Sequence, residues 1–361
     1  MKKICLYFLI WRLALFALAY ISPSIIPNFG ARFPYYQERL IGTGLPHFIW
    51  SWGNFDGVHY LGIAKDGYAY QFTQTFFPLY PILIKLLTYI TGSYLISGLL
   101  ISNAAFLFGL LIFFKLVKSK FDEKIALWST GFILAFPASF YFGAVYTEGI
   151  FFAMTVSFFY LLEKNKIMAA SVVGMFASAT RLIGLFLISA IFAKPIGKIL
   201  PLLIVPFGFL AYVLYLQIEF QNPLYFLTAQ SIFGQERETA KIVLLPQVIW
   251  RYLKILATTE GLPFFNAVFE LVSTVFAITL LYTAWLKKYK LDWLTFSALA
   301  VLIPTLSGTL ASMPRYIIVA FPIYIALAQI KNVAAKIAIV LIFALMLAAS
   351  AVLFTQGYWV A

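Results

Sequence analysis

Ten apolar runs divide this chain, at about residues 4–21, 94–117, 125–142, 146–162, 167–193, 199–217, 264–286, 291–310, 316–330 and 337–354. A helix needs about 20 residues to cross a bilayer core, with a range near 17–25. In lipid each backbone N–H and C=O must be satisfied within the protein, which leaves helices or closed barrels. Runs of this length, separated by short lysine-bearing segments, commit the chain to an all-α polytopic bundle. Of the 361 residues, 63% are hydrophobic and 11% charged, against about 45–50% and about 25% in soluble domains. That balance excludes a cytoplasmic enzyme, a disordered chain and a nucleic-acid-binding domain. The single cysteine, Cys5, permits no disulfide within the chain.

The net charge of +13 has a topological origin. The clusters at Lys2/Lys3, Lys115–Lys124, Lys164/Lys166, Lys194/Lys198, Lys287–Lys290 and Lys331/Lys336 belong in the cytoplasm by the positive-inside rule. These inner segments hold 15 positive residues and four acids; the outer ones hold ten and nine, with Arg12 inside the first span. The basic excess therefore orients the bundle and implies no nucleic-acid partner. The run from Ile4 to Ile21 reads as a retained first span, because Ser22-Pro23-Ser24 is a poor signal-peptide cleavage site.

Two segments need more than a simple span. If residues 76–91 crossed the membrane, Lys115 to Lys124 would fall on the wrong face, so this stretch reads as an interfacial helix with Lys85 snorkelling. The run 167–193 has Lys166 before it and Lys194 after it. Both ends want the cytoplasm, which calls for a hairpin of two short helices turning near Thr180-Arg181. The expectation is one integral-membrane domain over 1–361, with about 11 transmembrane helices and a cytoplasmic N-terminus. Two long outer loops, 22–93 and 218–263, give it a functional outer face. No internal repeat relates the two halves.

Polar groups at membrane depth are expensive and usually face a cavity or a partner. Asp56 and His59 stand three residues apart, on one face of a helix. Asp56 suits either a general base or a helix N-cap. His59 suits a substrate contact or a structural donor. Glu148 can bind a substrate hydroxyl or favour the positive end of a helix. Arg181 and Arg315 carry planar forks suited to phosphate, or form structural ion pairs with carboxylates. Arg12 either snorkels inward or pairs within the bundle, and receives no role. His47, Trp50 and Trp52 read as an interfacial aromatic belt. Two histidines cannot build a standard metal site; no cofactor is called for, and a divalent metal is permitted but not indicated.

Five segments, in order, resemble PIG-V-type mannosyltransferases and their prokaryotic relatives: FDGVHYLGIAKDGY with FFPLYPILIKLL, SFYFGAVYTEGIFF, ASATRLIGL, NPLYFLTAQSIFG and SMPRYIIVAFPIYIALA. The resemblance runs from Phe55 to Ala328 and implies a GT-C glycosyltransferase fold. It implies that Asp56 is the catalytic carboxylate and that Arg181 and Arg315 lie where a donor lipid phosphate binds. Glu148, Gln230 and Tyr316 fall on matching motif positions and, with His59 from its spacing to Asp56, are the expected substrate contacts. The donor would be a polyprenyl-phosphate sugar, with mannose resting on the resemblance alone. The acceptor would be a hydroxyl of a glycolipid, glycan or protein at the outer face of a prokaryotic cell membrane. One departure is Phe55, where the family usually has Trp. Two other readings remain: a transporter or flippase of a lipid-linked anion, and a non-catalytic subunit that holds a partner enzyme.

Overall fold

The computed structural model describes residues 1–30, 33–230 and 241–360. Within them the chain is helical, with no strand beyond one isolated bridge between Val243 and Ser307. We number the main helices α1 (Lys2–Ile25), α2 (Asp56–Asp66), α3 (Leu79–Thr91), α4 (Tyr94–Lys118), α5 (Glu123–Ala135), α6 (Glu148–Glu163) and α7 (Ile167–Ser178). They continue as α8 (Phe207–Phe220), α9 (Leu245–Thr258), α10 (Gly261–Leu286), α11 (Leu291–Thr305), α12 (Met313–Ile317), α13 (Pro322–Ala328) and α14 (Val333–Thr355). Among the described residues, five helical stretches are long and apolar enough to cross a membrane: α1, α4, Leu200–Phe220, α10 and α14. A helix the length of α4 rises about 37 Å. The protein is a multi-pass membrane protein.

Local chemistry sets several helix ends. Ser93, Asp122 and Asn332 cap α4, α5 and α14 by accepting from the N–H of Ile96, Ile125 and Ala335. Lys115 and Lys118 fill the last turn of α4, where positive charge meets the negative helix end. The central helix is α6, buried along nearly its whole length. Gly109 lets α4 approach it, since a Cβ there would stand 2.9 Å from the Phe152 ring and 3.0 Å from Ala153 Cα.

The lysine segments gather at one end of this bundle. Glu163, at the end of α6, pairs with both Lys120 and Lys290. Lys194 approaches Asp292 at 3.5 Å, and Lys198 donates to Asn165 at 3.3 Å. The run 167–193 is two packed segments, α7 and a 3₁₀ helix over Leu182–Ala193, broken at 179–181. Both outer ends sit with the lysines, while Arg181 reaches Glu148 at the opposite end of α6. A 3₁₀ helix rises about 2.0 Å per residue against 1.5 Å for an α-helix. The stretched second segment therefore covers more depth with the same twelve residues. Gly184 makes the turn possible: a Cβ there would lie 2.3 Å from the Ala177 carbonyl oxygen.

Three features depart from the sequence reading. The run 316–330 is not one helix; it is split into α12 and α13, with Pro322 at the start of the second. Trp50 and Trp52 are buried core side chains rather than an interfacial belt, and the His47 ring nitrogens lie 3.3 Å from the Ala19 carbonyl oxygen and 3.1 Å from that of Thr355. Arg12 neither snorkels nor forms an ion pair among the described residues. Its guanidinium lies 4.0 Å from the Phe16 ring centroid and 5.0 Å from that of Trp52, a cation–π sandwich inside the bundle.

Candidate active site

Two acidic and two basic side chains from four parts of the chain meet at the end of α6 opposite Glu163. Glu148, in the first turn of α6, is fully buried. Its Oε1 accepts from Arg181 Nη1 at 2.6 Å, Arg315 Nε at 3.0 Å and Arg315 Nη2 at 2.9 Å. Arg315 Nη1 reaches Asp56 Oδ2 at 2.8 Å. Two carboxylates thus balance two guanidinium groups in a water-poor setting, where charge interactions are strong. Glu148 Oε2 is buried with no hydrogen-bond partner among the described residues. An acceptor in that state is expensive unless a ligand or water donates to it.

Asp56 does not cap α2. It is the first residue of the helix, and its carboxylate makes no capping hydrogen bond. It turns instead to Arg315 and remains the most open member of the cluster, 22% exposed against 8% for Arg315 and 0% for Glu148. The backbone that delivers it is strained. Phe55 has φ 58° and ψ −116°, a conformation that costs on the order of 1–3 kcal/mol for a non-glycine residue. Tyr146 holds this corner: its hydroxyl donates to Asn54 O at 3.0 Å and accepts from the Asp56 N–H at 3.2 Å. Asn54 in turn donates from Nδ2 to Phe354 O at 2.8 Å, tying the corner to α14. Ser312, also left-handed at φ 66°, precedes the helix that carries Arg315.

Aromatic rings surround the cations. Arg315 stands 4.8 Å from the ring centroids of both Tyr141 and Tyr146, and Arg181 lies 5.7 Å from that of Tyr316. Arg181 also donates from Nη1 to Thr147 Oγ1 at 3.3 Å. His59 lies further along α2, stacked on Phe76 at 5.1 Å and 15°. Burial pushes its imidazole down to about 4, against the opposing pull of Asp56, so it is neutral near pH 7. Gln230 follows the short helix Tyr225–Thr228. No hydrogen bond or ion pair joins it to the cluster among the described residues. The cluster therefore brings Asp56, Glu148, Arg181 and Arg315 together, sets Tyr316 under Arg181, and leaves His59 at its edge.

Asn54, Tyr141 and Tyr146 were not singled out from the sequence, although Tyr146 directly precedes Thr147-Glu148. Their aromatic and amide side chains look like ordinary membrane-helix residues until the fold shows what they hold. No group of three or more His, Cys, Asp or Glu that could hold a metal ion occurs among the described residues.

Two substitutions test this geometry. Gly149→Ala would set a Cβ 2.6 Å from both Phe142 O and Ser102 O. Both are backbone atoms, so α6 must shift, at a cost of about 1–3 kcal/mol. Thermal unfolding in detergent should show the loss. Tyr146→Phe removes both hydroxyl contacts to the Asp56 corner. The lost hydrogen bonds should cost about 0.5–1.5 kcal/mol each, read as a lowered unfolding midpoint in detergent.

Apolar helices of spanning length with a buried, charge-balanced cluster at one end define the class: a multi-pass membrane protein with a polar site built into its bundle. The family model described as mannosyltransferase (PIG-V) matches residues 1–204, more than half of the chain, and the chain belongs to that family. Asp56, Glu148 and Arg181 fall within the match; Arg315 lies beyond it and joins through its ion pairs. A similar curated protein is GPI mannosyltransferase 2 of Drosophila pseudoobscura pseudoobscura, 32% identical over 150 residues. That alignment covers 38% of this chain and 31% of the relative, so the match spans about a third of that protein's length.

Proposed function

We propose that this protein is a membrane glycosyltransferase that moves mannose from a polyprenyl-phosphate donor to a hydroxyl acceptor, with inversion, at the outer face of the membrane. The observation that carries the reading is Asp56 itself, a partly open carboxylate held by Arg315 at the edge of a charge-balanced arginine–carboxylate cluster. In this reaction the acceptor oxygen forms a bond to the anomeric carbon. Its proton passes to Asp56. The anomeric carbon–phosphate oxygen bond breaks, and the lipid phosphate leaves with the electron pair. Phosphate is already a good leaving group, so no acid partner is required. Donor and acceptor are then the protein's partners, the acceptor being a glycolipid, glycan or protein hydroxyl; the scheme leaves an accessory subunit open and calls for no metal.

In this reading Arg181 keeps the phosphate role expected of both arginines, and Arg315 takes another. Every nitrogen of Arg315 is already committed, Nη1 to Asp56 and the other two to Glu148. It orients the base. Arg181 commits only Nη1, to Glu148 and Thr147, among the described residues. Its remaining donors suit the leaving phosphate, where a preformed cation stabilises developing charge. Arg181→Lys should therefore lose transfer on the order of 10²-fold, because a point charge does not replace the fork. Product formation from labelled donor is the measurement. Glu148 Oε2, with no partner among the described residues, suits a sugar hydroxyl, and His59, Tyr316 and Gln230 are assigned to further substrate contacts.

The outer location rests on the opposition of the two bundle ends, lysine segments at one and the cluster at the other. The scheme carries forward about 11 membrane helices, a cytoplasmic N-terminus, the interfacial placement of 76–91 and long outer loops at 22–93 and 218–263; residues 231–240 of the second loop lie outside the described part. Cysteines placed at 166 and 194 should both label from the cytoplasm. Labelling of 166 and 194 from opposite sides would refute the hairpin orientation. A transporter would show flux of the lipid-linked anion without product.

A further inference from the structure

The segment after α14 does not leave the bundle; it folds back over the cluster. Three backbone carbonyls pin it. Gln356 O accepts from Gly30 N–H at 2.8 Å, Trp359 O from Asn266 Nδ2 at 3.0 Å, and Val360 O from the Tyr141 hydroxyl at 2.5 Å. Val360 is fully buried, so the chain is anchored on the far side of Trp359 as well. The Trp359 side chain is left partly exposed. Its ring stands edge-on to Phe55 at 5.2 Å and 82°, and 5.9 Å from the Arg315 guanidinium carbon. Phe55 is the strained residue next to Asp56, and Arg315 is the group that holds Asp56. Trp359 thus forms a fixed aromatic wall beside the base.

From this placement we propose that Trp359 is a specificity-determining residue on the acceptor side, stacking the apolar C–H face of a pyranose ring while a hydroxyl of that ring points to Asp56. The acceptor class is then a glycoside rather than an open-chain alcohol. The assignment rests on the transferase reading for its meaning but on the wall alone for its binding prediction. An indole offers a rigid amphipathic face at low conformational cost. Because the pins are the segment's own backbone carbonyls, held by donors from three separate regions (Gly30, Asn266 and Tyr141), replacing the ring leaves the segment's hydrogen bonds in place. Phe55 keeps an aromatic beside Asp56 but has no N–H; the indole of Trp359 contacts the same ring from the opposite arm of the fold.

The test uses the full chain in lipid nanodiscs and methyl α-mannopyranoside as probe, read by saturation-transfer NMR without turnover. The wild type should saturate the ring C–H protons, and glycerol at equal concentration should show no saturation. Trp359→Ala and Trp359→Leu should lose the signal, and Trp359→Phe should retain part of it, with all three folded and eluting as the wild type does. Stacking of this kind changes affinity about tenfold. Saturation that survives Trp359→Ala, or a wild type that does not bind the probe, overturns the proposal. If probe binding follows this pattern while the wild type transfers no mannose from any polyprenyl-phosphate donor, the transferase reading fails and the ring-binding wall stands.

Discussion

Asp56→Asn should abolish transfer while leaving the fold intact. The amide keeps the shape of the carboxylate and retains an oxygen for Arg315, but it cannot take the acceptor proton. General-base groups contribute about 10²–10⁴-fold, and turnover should fall by that much at saturating substrate. Arg315 keeps two bonds to Glu148 in the variant, so the cluster stays tied together. Melting temperature and elution profile should match the wild type. Full activity in Asp56→Asn would remove the base from the mechanism and with it the role of the strained Phe55 corner.

The largest effect on stability is expected at Glu148. One fully buried carboxylate oxygen holds two guanidinium groups, that of Arg315 buried and that of Arg181 partly so. Glu148→Ala leaves both without that counter-charge, and breaking a buried ion pair from one side costs about 3–5 kcal/mol. Thermal unfolding should register it as a strongly lowered midpoint, and yield of folded protein should drop. The loss belongs to uncompensated charge rather than to lost volume. Removing a second charge should therefore recover part of it: Glu148→Gln with Arg181→Met should be more stable than the sum of the single effects, by a coupling of about 0.5–3 kcal/mol. Strict additivity in that cycle would mean that Glu148 and Arg181 do not share one electrostatic unit.

These effects come from pairings that a linear reading reaches only in part. The helix runs and their lysine punctuation were legible because lipid imposes length, apolarity and charge sidedness together. The break at 179–181 was legible for the same reason, since Lys166 and Lys194 both demand one end of the bundle. Other breaks were not. Pro322 divides a run whose apolar content looks continuous, and the 3₁₀ geometry of Leu182–Ala193 has no compositional signature. Trp50 and Trp52 misled because indoles suit both an interface and a core, and only packing decides. Asp56, Glu148, Arg181 and Arg315 stood out as charges amid apolar sequence and within segments that resemble one family. Their partners did not stand out: Arg315 and Glu148 lie 167 residues apart, and nothing local says that Asp56 shares an arginine with Glu148. Tyr146 and Trp359 were silent, because their work depends on where distant backbone passes.

The central claim is that the arginine–carboxylate cluster uses a polyprenyl-phosphate sugar to glycosylate a hydroxyl. Purified protein in nanodiscs containing native lipid extract, supplied with polyprenyl-phosphate mannose labelled in the sugar, tests it most directly. The account predicts that label moves to a new product, that polyprenyl phosphate appears in equal amount, and that both stop together in Asp56→Asn. Movement of intact donor across the bilayer with no product, at a rate unchanged by Asp56→Asn, would contradict it.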